Sequence, residues 1–135
     1  MEYKKYPSRR LRHLLSIPFI CIMIVPLVIL DIFAELYQHI CFPLWKIPTF
    51  KRKDYIRLDR HKLDYLTLFE KIGCTFCSYA NGLANYCMAI AGRTEIYWCA
   101  IRHKKYGGFV EPLHHKSFLK YGDEKAFKKK YRQYL

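Results

Sequence analysis

The sequence predicts a mainly α fold, with an N-terminal membrane helix or re-entrant helical segment followed by a small helical metal-binding cytoplasmic domain. Three observations carry that expectation. Residues 14–30, LLSIPFICIMIVPLVIL, are seventeen positions without a charge. The 24 Lys and Arg, set against 11 Asp and Glu, frame this block rather than mix with it. Four of the six cysteines fall within residues 73–103. With 52% hydrophobic and 17% aromatic residues the chain is no disordered polycation, and 135 residues are short for two independent cores. Such apolarity together with a net charge of +13 also argues against an ordinary soluble enzyme.

Residues 1–13 form a basic flank containing Lys4, Lys5, Arg9, Arg10 and Arg12. Residues 14–45 are the membrane segment. Seventeen apolar residues are at the lower edge of what crosses a bilayer core. A secretory signal begins in the same way, but no small-x-small cleavage site follows, and the chain continues as Asp31, Ile32, Phe33, Ala34 and Glu35, so the segment reads as retained. A buried core helix is the bland alternative, and the rest of the chain offers little to bury it. Beyond the segment lie Lys46, Lys51, Arg52, Lys53, Arg57, Arg60 and Lys62. Both flanks therefore carry the positive-inside signal. A single pass satisfies one of them, whereas a re-entrant or interfacial, monotopic segment bent at Pro18 or Pro26 satisfies both. Either topology puts the larger C-terminal part in the cytoplasm.

Asp31, Glu35 and His39 are spaced by four, which on a helix makes one polar stripe on a cylinder of Ile32, Phe33, Leu36, Tyr37 and Ile40. Such groups at membrane depth face a partner, a cavity or water, and a carboxylate with an imidazole at i and i+4 can share a metal. The plainer reading is the wet side of an interfacial helix. Trp45 and Lys46 suit the headgroup level. Lys51, Arg52 and Lys53, together with Arg9, Arg10 and Arg12, are candidate contacts for the phosphates of anionic lipids. No helix-turn-helix or aromatic RNA-binding pattern accompanies the basic residues, which argues against nucleic acid.

Residues 46–106 form an amphipathic and cysteine-rich domain. Leu58, Leu63, Leu66, Phe69 and Ile72 fit an amphipathic helix. After it comes GCTFCSYANGLANYCMAIAGRTEIYWCAIRH. Cys74 and Cys77 form a Cys-x-x-Cys pair, and Cys99 with His103 at i and i+4 supplies a second pair. Together they are a set of three thiolates and one imidazole for zinc or iron. Exchanging His103 for Cys87 gives an all-sulfur set that suits zinc or an iron–sulfur cluster. Cytoplasmic thiols are reduced, which disfavours disulfides. A thioredoxin-like dithiol lacks its flanking strand, and buried inert thiols are the third option. Asn81 and Gly82 permit a turn, and Arg93 and Glu95 are positioned to meet each other or a polar partner.

The segments CTFCSYANGL and RTEIYWCAIRH, preceded by DYIRLDRHKLDYL, resemble a small family of uncharacterised bacterial membrane-associated proteins with CxYCSYANG and RTExYWCPIKH segments. The resemblance covers roughly residues 43–104. It implies a place at a bacterial inner membrane, with Cys74, Cys77, Cys99 and His103 as the defining set, and it brings no activity with it. Ala100 replaces the family's proline and Phe76 its tyrosine, neither of them at a proposed ligand.

Residues 107–135 are a basic tail. Gly107 and Gly108 form a joint and Pro112 a turn. His114 and His115, about 100° apart on a helix, make a weak joint metal pair. Residues 123–135 suit a short helix, with Asp123 at its start and Lys128, Lys129, Lys130 and Arg132 toward its end. No phosphate-binding glycine loop, nucleophile elbow or HExxH motif is present. The expected function is that of an accessory or metal-bearing component of a membrane system, in contact with anionic lipids or a larger membrane complex. The alternatives are a metal-dependent membrane enzyme using Asp31, Glu35 and His39, and a lipid-binding adaptor with a purely structural metal.

Overall fold

The computed structural model describes residues 9–132. Lys4 and Lys5 of the expected basic flank lie outside the described residues. Four α-helices appear in chain order: α1 (Arg9–Leu44), α2 (Arg52–Tyr55), α3 (Leu68–Trp98) and α4 (Glu124–Tyr131). The described residues contain no strand, only one isolated parallel bridge between Ile101 and Leu119. The chain divides into two compact units, Met1–Cys87 and Met88–Leu135, with the boundary inside α3.

The apolar block is one helix, long and apolar enough over Leu11–Leu44 to be a candidate membrane span. It runs unbroken through Pro18 and Pro26, so the bend expected for a re-entrant hairpin does not interrupt it. Its end is a Schellman arrangement, in which Ile47 N–H donates to the Phe42 carbonyl at 2.9 Å and Lys46 N–H to that of Pro43 at 3.0 Å. Lys46 occupies the left-handed position at φ 56°. Pro48 follows and prevents the helix from resuming.

In Met1–Cys87, α1 and α3 pack side by side and parallel. Tyr79 pairs with Asp31, and Tyr86 with Glu35 and Gln38, so the partner numbers rise together along both helices. The buried face of α1 is Asp31, Ala34, Gln38 and Phe42, which meets the buried Leu83 and Tyr86 of α3. Parallel neighbours oblige the connector to travel back along them. It does so between Phe50, which exchanges hydrogen bonds with the Gln38 amide, and Arg60, which shares a cavity wall with Ile17, Ile20 and Cys77. Midway, Tyr55 and Ile56 press against Gly82, where an added Cβ would lie 2.7 Å from the Tyr55 carbonyl oxygen and 2.9 Å from Ile56 Cα. Gly82 is thus a site of close backbone approach rather than the expected turn.

The amphipathic helix expected across residues 58–72 is a short 3₁₀ turn, Arg60–Lys62, followed by α3 only from Leu68. The reason is a capping box: Thr67 N–H and Oγ1 each donate to Glu70 Oε2 at 3.0 Å, and Glu70 N–H donates back to Thr67 Oγ1 at 3.4 Å. In Met88–Leu135, the last turns of α3 lead into residues 99–119. There Leu119 N–H donates to the Ala100 carbonyl at 2.9 Å, and Arg102 N–H to that of Leu119 at 2.8 Å. Beyond them, α4 starts at Asp123, whose carboxylate accepts from Ala126 N–H at 2.9 Å.

Candidate metal centre

The residues most able to hold an ion belong to Met88–Leu135. Glu95, His114 and His115 each present a ligand atom, and these atoms lie within 4.8 Å of one another. Glu95 comes from the last turn of α3. The two histidines come from the 3₁₀ turn Leu113–Ser117, which begins where Pro112 sets an extended backbone. His114 Nε2 lies 2.7 Å and His115 Nε2 3.0 Å from Glu95 Oε2.

Packing fixes both rings. His115 is 1% exposed and stacks on Phe118 at 4.7 Å and 23°. His114 lies across Gly92, where an added Cβ would come 3.1 Å from its Nδ1. Gly92 and Glu95 share a face of α3 at i and i+3, so the missing side chain makes room for the ring that reaches the carboxylate. Burial raises the Glu95 pKa, but the hydrogen bonds from His114 and His115 outweigh it and hold the carboxyl below its ordinary value. His115 Nδ1 is buried without a hydrogen-bond partner, so the surrounding groups do not exhaust the site's polar capacity. The His103 ring is 5.7 Å from that of His115.

This cluster departs from the sequence-based expectation in two ways. Adjacent histidines diverge on a helix, yet both Nε2 atoms reach one carboxylate, because Glu95 stands between the two diverging rings at 2.7 and 3.0 Å. Glu95 does not pair with Arg93, because two residues along a helix put them on nearly opposite faces. Its partners are 19 and 20 residues away.

The expected cysteine set is distributed differently. Cys74 and Cys77 lie in the first three turns of α3, and Cys99 follows its last residue. The Cys-x-x-Cys pair thus belongs to Met1–Cys87 and the third thiol to Met88–Leu135. All six cysteines are free thiols. Burial, followed by the Asp31 carboxylate, pushes the Cys87 thiol up, which makes it a poor thiolate donor.

The Asp31, Glu35 and His39 stripe is split by its surroundings. Arg52 clamps Asp31 through Nε to Oδ1 at 3.0 Å and Nη2 to Oδ2 at 2.6 Å, and Tyr79 O–H donates to Oδ2 at 2.9 Å. Tyr86 O–H donates to Glu35 Oε1 at 2.6 Å, and the Gln38 amide donates to Tyr86. Burial, the Glu35 hydrogen bond and nearby carboxylates raise the Tyr86 pKa, so the phenol stays a donor. Asp31 and Glu35 thus lock α3 and the connector onto α1, while His39 remains exposed beside Glu35 at 3.2 Å. Of the basic residues expected to meet lipid, Lys51, Arg52 and Lys53 stand at the start of the returning connector, and Arg52 is committed to Asp31.

No protein family, curated protein or solved structure matches the chain.

Proposed function

We propose that this is a small membrane-attached protein that carries a transition-metal ion on Glu95, His114 and His115. The convergence of those three ligand atoms from two separate segments carries the reading. Two imidazoles and one carboxylate suit zinc with an open position, or ferrous iron in a facial triad. A set without thiolate does not suit an iron–sulfur cluster. At metal–ligand distances near 2.1 Å, neighbouring ligand atoms stand about 3.0–3.5 Å apart. The hydrogen-bonded Nε2 and Oε atoms would part by only a few tenths of an ångström to admit an ion, which would displace the protons they share. The long apolar α1 supports the attachment.

The test is metal content of the full-length protein purified in detergent. One zinc or iron per chain is expected, lost in Glu95→Ala and His115→Ala and kept in Cys74→Ser. Loss in Cys74→Ser with retention in Glu95→Ala would move the metal to the cysteines. Absence of metal even after addition of zinc or ferrous iron would overturn the reading.

A further inference from the structure

We propose that α1 lies in the plane of an anionic phospholipid bilayer, with its bare apolar stripe in the boundary between headgroups and acyl chains. The remainder of Met1–Cys87 then rests on the aqueous side. This deepens the membrane part of the reading above and is independent of the metal.

The first observation is the stripe itself. Leu11, Phe19, Ile22, Ile29, Phe33 and Ile40 are each at least half exposed, and they recur at helical spacing along one side of α1. Asp31, Ala34, Gln38 and Phe42 are buried on the opposite side in the C-terminal part of α1, whereas earlier in the helix that side too is apolar and exposed, at Ile20, Ile24 and Val28. No Asp, Glu, Lys or Arg falls on the stripe from Leu11 to Leu44. At about 54 Å, α1 is far longer than the roughly 30 Å of hydrocarbon a spanning helix needs. An in-plane helix buries its apolar face along its whole length.

The second observation is the connector. Because α1 and α3 are parallel, residues 50–60 return beside them from the level of Gln38 to that of Ile20. They carry Lys51, Arg52, Lys53, Arg57 and Arg60. An upright α1 centred on its uncharged residues 14–30 would draw Arg57 and Arg60, at the end of this segment level with Ile20, into the bilayer core. With α1 in the plane they stay wet and close to the headgroups, where positive charge selects anionic lipid over neutral lipid. The same orientation leaves both basic flanks of α1 on one side of the membrane, as the positive-inside rule asks.

Full-length protein is mixed with phosphatidylcholine vesicles, with or without phosphatidylglycerol, and sedimented. Binding is expected to the phosphatidylglycerol vesicles and to weaken in high salt. The pair Phe33→Glu and Leu36→Glu should reduce partitioning by roughly tenfold or more. Depth is then read from Leu11→Trp, Val25→Trp and Ile40→Trp variants in lipids brominated near the headgroup or at the chain end. The fluorescence each adds to the parent protein should be quenched alike by the shallow bromine. Chain-end quenching confined to Val25→Trp would show that α1 crosses the bilayer and would overturn the in-plane orientation while leaving attachment intact. Equal binding to both vesicle types would overturn the anionic preference. Binding to neither would overturn the membrane reading itself.

Discussion

Gly92 is the position where one methyl group most directly tests the metal centre. A Cβ there would sit 3.1 Å from His114 Nδ1 and 3.2 Å from Cε1, so the imidazole would have to swing away from Glu95. Alanine also favours a helix interior over glycine by about 0.5–1 kcal/mol, which offsets the crowding. Gly92→Ala should therefore leave thermal stability within about 1 kcal/mol of the parent and yet weaken metal binding, as titration of the metal-free protein would show. Asp31 presents the opposite case, a group whose loss is felt in stability alone. It is 8% exposed and accepts three hydrogen bonds, two of them from the Arg52 guanidinium. Asp31→Ala removes an acceptor from a charged donor and from the Tyr79 hydroxyl at once, and should cost about 2–3 kcal/mol in chemical denaturation. An unchanged midpoint would mean that the clamp does not hold α3 and the connector to α1.

At the scale of the element, the C-terminus of α1 carries a strain that its sequence does not need. Lys46 is the left-handed residue of the Schellman motif, at φ 56°, a place that glycine fills without steric penalty. Lys46→Gly should raise the unfolding free energy by about 0.5–1 kcal/mol, measured by denaturant titration. The same scale shows what the residues disclose and what they hide. The α1 helix is plain from seventeen uncharged residues and α4 from Asp123 followed by lysines, whereas the apolar spacing of Leu58 to Ile72 hides that α3 starts only at the Thr67 and Glu70 box. The parallel packing of α1 and α3 is not legible, because it depends on Asp31, Glu35 and Gln38 finding Tyr79, Tyr86 and Phe50 across long intervals. Glu95, His114 and His115 are equally hidden, since adjacent histidines diverge and the carboxylate that both reach lies 19 and 20 residues away in sequence. Seventeen uncharged residues gain about 5–10 kcal/mol on upright insertion, and Arg57 and Arg60 carried with them into the core cost roughly 5–7 kcal/mol, at about 2.5–3.5 each, which removes most of that gain.

At the scale of the molecule, the two candidate functions draw on different residues. The stripe, the Asp31 clamp and the connector all belong to Met1–Cys87, whereas Glu95, His114 and His115 all belong to Met88–Leu135. A metal that binds only the folded cluster stabilises it by mass action, by about 2.7 kcal/mol at a hundredfold excess over its dissociation constant. That stabilisation should be felt where the cluster's neighbours are held, in the Ile101 and Leu119 pairing and the turn of His114 and His115. Chelation should accordingly speed proteolytic cleavage within residues 99–119 by roughly tenfold or more. Vesicle sedimentation of the same sample should not change, because α1 keeps its stripe and its partners. In the converse experiment, Phe33→Glu with Leu36→Glu should release the protein from vesicles and leave metal content at the parent value. If chelation instead detaches the protein from lipid, attachment cannot reside in α1 alone and the metal must act in membrane binding.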